Sequence, residues 1–136
     1  MDHVDEYLKL TKYGGTKARI YDAKHGRLWM GTTDDEVLVI DPSNLKIIAK
    51  VPDYGGIDDV AFDPKLDIVY AFGGNGRKGF DAFDAKTMKP ITFVWTNVFQ
   101  THAGSVDAAN DEVYAYGGFG AKLFVYKPAK SKSAMK

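Results

Sequence analysis

There is no cysteine in the chain, which excludes disulfides, thiolate metal ligands and a cysteine nucleophile. Charge of one sign is missing too. Eighteen basic and eighteen acidic residues cancel, so the positive field that nucleic acid or an anionic membrane requires is not supplied. No apolar run approaches the roughly 20 residues that span a bilayer. The opening residues, Met1-Asp2-His3-Val4-Asp5-Glu6, lack the basic start and apolar stretch of a secretory signal, which favours a cytoplasmic location. Histidine is scarce: His3, His25 and His102 fall on a tail, a turn and a candidate loop, and show no three-histidine metal spacing.

What the chain does have is glycine and aromatics. Fourteen glycines, eight Phe, eight Tyr and two Trp in 136 residues match a sheet-rich repeat protein, with glycine at turns and rings in strands. Self-similarity is visible directly. Tyr13-Gly14-Gly15 returns as Tyr54-Gly55-Gly56 at an offset of 41, which also sets Asp22 on Asp63, Tyr21 on Phe62 and Trp29 on Tyr70. A further shift of 44 maps Asp63 to Asp107, Val69-Tyr70 to Val113-Tyr114 and Phe72-Gly73-Gly74 to Tyr116-Gly117-Gly118. A period of roughly 40–45 residues is that of a four-stranded propeller blade.

In the second repeat the strands are expected near Ile57–Phe62, Ile68–Phe72, Lys78–Phe83 and Pro90–Val94. Asp22, Asp63 and Asp107 open the turns between first and second strands, and Asp41 and Asp84 those between third and fourth. An aspartate there accepts backbone N–H bonds from the turn ahead of it. Val69-Tyr70-Ala71-Phe72 is apolar on both faces, as expected of a sheet sandwiched between neighbours.

Three stretches, Val60-Ala61-Phe62-Asp63-Pro64, Ile68-Val69-Tyr70-Ala71-Phe72-Gly73-Gly74 and Val37-Leu38-Val39-Ile40-Asp41-Pro42, resemble the YVTN-type propeller repeats, relatives of lactonase and NHL-like propellers. The resemblance covers about residues 13–127 and identifies the blade rather than an activity. It implies an all-β propeller in which the first strand closes the ring by completing the last blade. The third repeat has no fourth strand, ending at Tyr126-Lys127-Pro128 before a lysine-rich tail. Residues 7–12 fall on an outer-strand position, with Tyr7, Lys9 and Leu10 on Ile48, Lys50 and Val51. The expected organisation is an outer strand in 1–12, three blades in 13–128 and a disordered tail in 129–136.

Closed propellers typically use 4 to 8 blades, and three left open would expose apolar faces and unpaired edges. The chain is therefore expected to form a homo-oligomer, a dimer of six blades in which outer strands are exchanged. The alternative is a fragment of a longer propeller.

Residues just before the inner strands open onto the channel mouth: Lys17, Asp58 and His102, with Arg77 on the same face as a contact for an anionic ligand. The reading is a non-enzymatic binding or scaffold module with no catalytic residue, cofactor or metal. A lactonase-like hydrolase, with His102 and Asp58 activating water, is the competing reading. A purely structural propeller fragment is the third. Asp58-Asp59 raises calcium, but neighbouring strand residues point to opposite sides and the other repeats carry no matching acids. Gly74-Asn75-Gly76-Arg77-Lys78-Gly79 matches a phosphate-cradling G-x-G-x-x-G, which requires a following helix where a strand is expected.

Overall fold

The computed structural model describes residues 3–53, 56–73 and 76–135. Blade 1 is a meander of β1 (Thr16–Asp22), β2 (Arg27–Thr32), β3 (Glu36–Asp41) and β4 (Lys46–Pro52). Blade 2 repeats it with β5 (Ile57–Asp63), β6 (Ile68–Gly73), β7 (Gly79–Asp84) and β8 (Pro90–Trp95). Blade 3 has three strands, β9 (Thr101–Asp107), β10 (Glu112–Gly117) and β11 (Lys122–Tyr126), with β11 at its edge. All neighbouring strands are antiparallel. The inner strands β1, β5 and β9 pack side by side. The molecule is an all-β propeller segment of three blades.

The turns form for the expected reason. Asp63 Oδ1 accepts the N–H of Lys65 at 2.9 Å and of Leu66 at 3.1 Å, and Asp22 Oδ1 accepts that of His25 at 3.0 Å. Asp84 does the same for Lys86 and Thr87, at 2.8 and 3.0 Å. Each inner turn closes on a left-handed residue: Gly26 at φ +65°, Asp67 at +57° and Asp111 at +55°. Glycine or a short aspartate tolerates that conformation best.

The core lies between blades. Blade 1 contributes Trp29, Val37, Val39 and Val51 to one seam, where they meet Val60, Val69, Ala71 and Phe83 of blade 2. Blade 2 turns Tyr70, Phe72, Phe80 and Ala82 toward Val113 and Ala115 of blade 3. Close approach is built in at Gly104, where an added Cβ would lie 2.2–2.6 Å from the Phe72 ring. Gly31 seats Ile57 across the first seam in the same way, at 2.4 Å.

The two ends of the single chain are placed as follows. Residues 3–10 carry no strand within the single chain, and Thr11–Tyr13 is a 3-10 turn. This leader is nonetheless seated, with Leu8, Leu10 and Tyr13 packed on Leu28, Met30, Leu38 and Ile40 at the far face of blade 1. The tail is not disordered throughout: Pro128 is buried and α1 (Lys132–Met135) returns to blade 2. There Met135 joins the apolar seam and Lys132 meets Asp84 at 3.1 Å. Apolar burial of one methionine and one ion pair outweighs the solvation that the run of lysines and serines favours. Tyr54-Gly55 and Gly74-Asn75, parts of two sequence motifs, lie outside the described residues.

Candidate functional site

The mouth residues are positioned by the starts of the inner strands. Lys17 on β1 and Asp58 on β5 meet across the seam, with Nζ donating to Oδ1 at 2.9 Å. His102, on β9, stands instead against the Tyr116 ring, edge-on with centroids 5.9 Å apart. Arg77 is turned outward. Its guanidinium lies 3.4 Å from the Phe93 ring centroid and 5.6 Å from that of Trp95, and its Nη1 is 3.8 Å from Asp81 Oδ1. The four expected residues therefore divide into one ion pair, one ring contact and one stacked cation.

Asp58 and Asp59 are separated by the strand alternation. While Asp58 takes Lys17, Asp59 Oδ2 accepts the Gly104 N–H of the next inner strand at 3.0 Å. That carboxylate is a fastener between blades. Among the described residues no three His, Asp or Glu side chains gather to hold a metal ion. The described residues of the glycine-rich motif, 76–78, lead into β7 and not into a helix, and the Lys78 carbonyl accepts N–H bonds from Thr96 and Asn97 at 2.9 and 3.1 Å.

Sequence reasoning missed a second acidic pair. Asp81 hydrogen-bonds the buried Asp53 between blades 1 and 2, and burial pushes the Asp81 carboxyl above the ordinary range against the pull of that bond and of Arg77. The signal was available in the alignment of repeats. Through strand pairing Asp81 stands opposite Ala71, where Leu38 stands opposite Met30 and Phe124 opposite Ala115.

The far face of blade 3 is an apolar surface that the mouth residues do not use. By register Tyr114, Tyr116, Leu123 and Val125 occupy the positions of Tyr70, Phe72, Phe80 and Ala82. The blade 2 residues are at most 1% exposed, whereas Tyr116, Leu123 and Val125 are 40%, 68% and 53% exposed. A hollow of about 280 Å³ lies on this face, lined by Asp59, Ala103, Gly104, Ser105, Tyr114, Tyr116 and Leu123. Its small inner-strand residues and aromatic wall repeat the form of a seat for a neighbouring blade.

No family model and no curated protein matches the sequence. Solved structures do. A chain of the Kuenenia stuttgartiensis hydrazine synthase structure superposes at a TM-score of 0.75 with 12% identity, over 82% of this chain and 34% of that one. A chain of a mitotic checkpoint complex superposes at 0.77 with 8% identity, over 87% of this chain and 38% of that one. This chain thus spans little more than a third of either. Identities this low speak to fold alone, and the fold they share with this chain is the β-propeller.

Proposed function

We propose that the protein is a non-enzymatic scaffold and binding module of the YVTN-type repeat kind, which closes into a ring with a second chain and offers its channel mouth to a ligand. The observation that carries this reading is the open end face. The repeat positions that blade 3 buries on blade 2 are apolar again on blade 3, where Tyr116, Leu123 and Val125 lie exposed among the described residues. Apolar area of this extent favours association, at about 25 cal/mol per Å² removed from water before the costs of binding are met. Two chains related by a two-fold axis supply six blades, within the 4 to 8 that closed propellers use.

Closure would give each mouth residue a counterpart on the other chain, alternating Lys17, Asp58 and His102 around the rim. That rim is polar, concave and mixed in charge, which suits a small polar or anionic ligand. The hydrolytic alternative needs Asp58 and His102 on one water. Asp58 is instead held by Lys17, and His102 by its ring contact, which lends that alternative no support.

The test is mass in dilute solution, by sedimentation or light scattering. Twice the 15.0 kDa of one chain is the expected result. A compact single chain at micromolar concentration would overturn the ring. The same end face would then be one that further blades of a longer polypeptide cover.

A further inference from the structure

We infer that the leader is the waiting outer strand of a composite blade, and that its partner is β11 of a second chain. This rests on the ring reading and specifies how the ring is joined.

The leader's place on blade 1 carries the inference. In the first seam the outer strand β4 packs Val51 and Ala49 against blade 2. At the offset of 41 residues, Leu10 falls on Val51 and Leu8 on Ala49. Leu8 and Leu10 pack against Leu28, Met30, Leu38 and Ile40 of blade 1. By the pairings β2–β3 and β6–β7, Leu28, Met30, Leu38 and Ile40 stand where Val69, Ala71, Asp81 and Phe83 stand in blade 2. The leader is therefore seated on blade 1 as an outer strand of a preceding blade would be. Its side chains alternate accordingly, with Tyr7 and Lys9 exposed and Leu8 and Leu10 partly buried. What it lacks is a β-ladder partner.

β11 has the complementary lack. It pairs with β10 and is the edge of its sheet, while the equivalent β3 and β7 each take a fourth strand. A bare edge of this kind is a template for a strand from another chain. The repeat fixes the register. In blade 1 Val37 faces Val51 and Val39 faces Ala49. Leu123 and Val125 are the blade 3 counterparts of Val37 and Val39, being paired with Tyr116 and Tyr114 as those are with Gly31 and Trp29. Leu123 of a second chain should thus face Leu10, and its Val125 should face Leu8. The same step lays Tyr114, Tyr116, Leu123 and Val125 over the far face of blade 1.

Charge agrees with this seam. Across both internal seams a lysine meets the next blade's aspartate, Lys24 with Asp67 at 2.8 Å and Lys65 with Asp111 at 2.6 Å. At the joining seam the equivalent residues are Ala109 and Gly26, so neither end brings an unmatched charge.

The absence of cysteine gives a clean test. Chains carrying Leu8→Cys are mixed with chains carrying Val125→Cys and oxidised mildly, beside a full chain and one beginning at Tyr13. The expected result is a disulfide-linked pair in the mixture and in neither variant alone. The shortened chain should lose its dimer, its dissociation constant rising by 100-fold or more. A full-length dimer that gives no 8–125 disulfide, or that survives the truncation unchanged, overturns the composite blade and leaves the ring standing. A full-length monomer overturns the ring itself.

Discussion

The two faces of blade 2 and blade 3 that look the same way make an instructive pair. Tyr70, Phe72, Phe80 and Ala82 are buried because blade 3 lies on them, whereas at the same positions of blade 3 Tyr116, Leu123 and Val125 stand in the open and Tyr114 is half-buried. Chemistry barely differs between them, yet exposure does, so the neighbour decides burial and the residue type only records that one is wanted. Interior seams show how tight the finished contact is: Phe72 meets Phe80 at a tilt of 39° with centroids 5.0 Å apart and fills the space Gly104 leaves. The open face has the aromatic wall but only a hollow opposite it.

The largest effect should come from cutting the buried member of that pair. Phe72→Ala should cost about 3–5 kcal/mol, the usual loss for a fully packed ring, read as a drop in the urea midpoint at every protein concentration. Tyr116→Ala at the matching position should cost within about 0.5 kcal/mol in the separated chain, and more once concentration is high enough to assemble it. Equal and concentration-independent losses at both positions would break the comparison, since Tyr116 would then be packed within one chain.

Gly104→Val approaches the same contact from the other side. Its Cβ would have to share space with the Phe72 ring, and overpacking of this kind costs about 1–3 kcal/mol. Combining it with Phe72→Ala should recover part of the loss, because the new methyls enter the vacated volume. Strict additivity in a double-mutant cycle would show that the two residues do not meet.

Much of this was legible before the structure. Blade count, the second blade's four strands and the Asp-led turns follow from period, alternation and turn chemistry, all of them local signals that recur. The ends were less legible. A leader with Leu8 and Leu10 spaced like an outer strand reads as a strand, but a strand needs a ladder partner, and the chain supplies side-chain packing without one. The tail reads as solvated because lysine dominates it, and one buried proline and one methionine were enough to dock it. At the mouth, position was legible and pairing was not: periodicity aligned Lys17, Asp58 and His102 but could not tell that Asp58 joins Lys17 while Arg77 turns away to Phe93.

Asp81 sharpens a second contrast, between a seam holding a carboxyl pair and positions where Leu38 and Phe124 stand. Burial raises the Asp81 carboxyl above its ordinary value of 3.8, so in the window above that value the folded chain holds more protons than the unfolded one. Stability should fall as pH rises through the window until the carboxyl has ionised in the folded chain as well. Asp81→Asn keeps a hydrogen bond to Asp53 without the charge. Denaturation midpoints from pH 4 to 8 should flatten in the variant, which should be neutral to about 1 kcal/mol more stable at pH 7. A variant with the parent's slope would assign the pH dependence elsewhere.

The smallest effect lies at the rim, and it bears most directly on how the ends meet. The Lys65–Asp111 pair is half-exposed, so Lys65→Ala should cost only about 0.2–1 kcal/mol and less in high salt. The same pair can be built where it is missing. Gly26 is left-handed at φ +65°, a conformation that Asp67 and Asp111 already adopt in their turns, so Gly26→Asp should be tolerated. Ala109→Lys would then bring a lysine from one chain to that aspartate on the other, if blade 3 seats on blade 1 as blade 2 does on its neighbours. Together the two changes build the pair at both joining seams and should tighten the dimer by up to about thirtyfold, the equivalent of about 1 kcal/mol at each seam, with each change alone near neutral and the gain lost at high salt. Coupling of that sign needs both residues within a few ångströms across the seam. A double variant no tighter than its singles would mean that the chains meet in another geometry, even if a dimer forms.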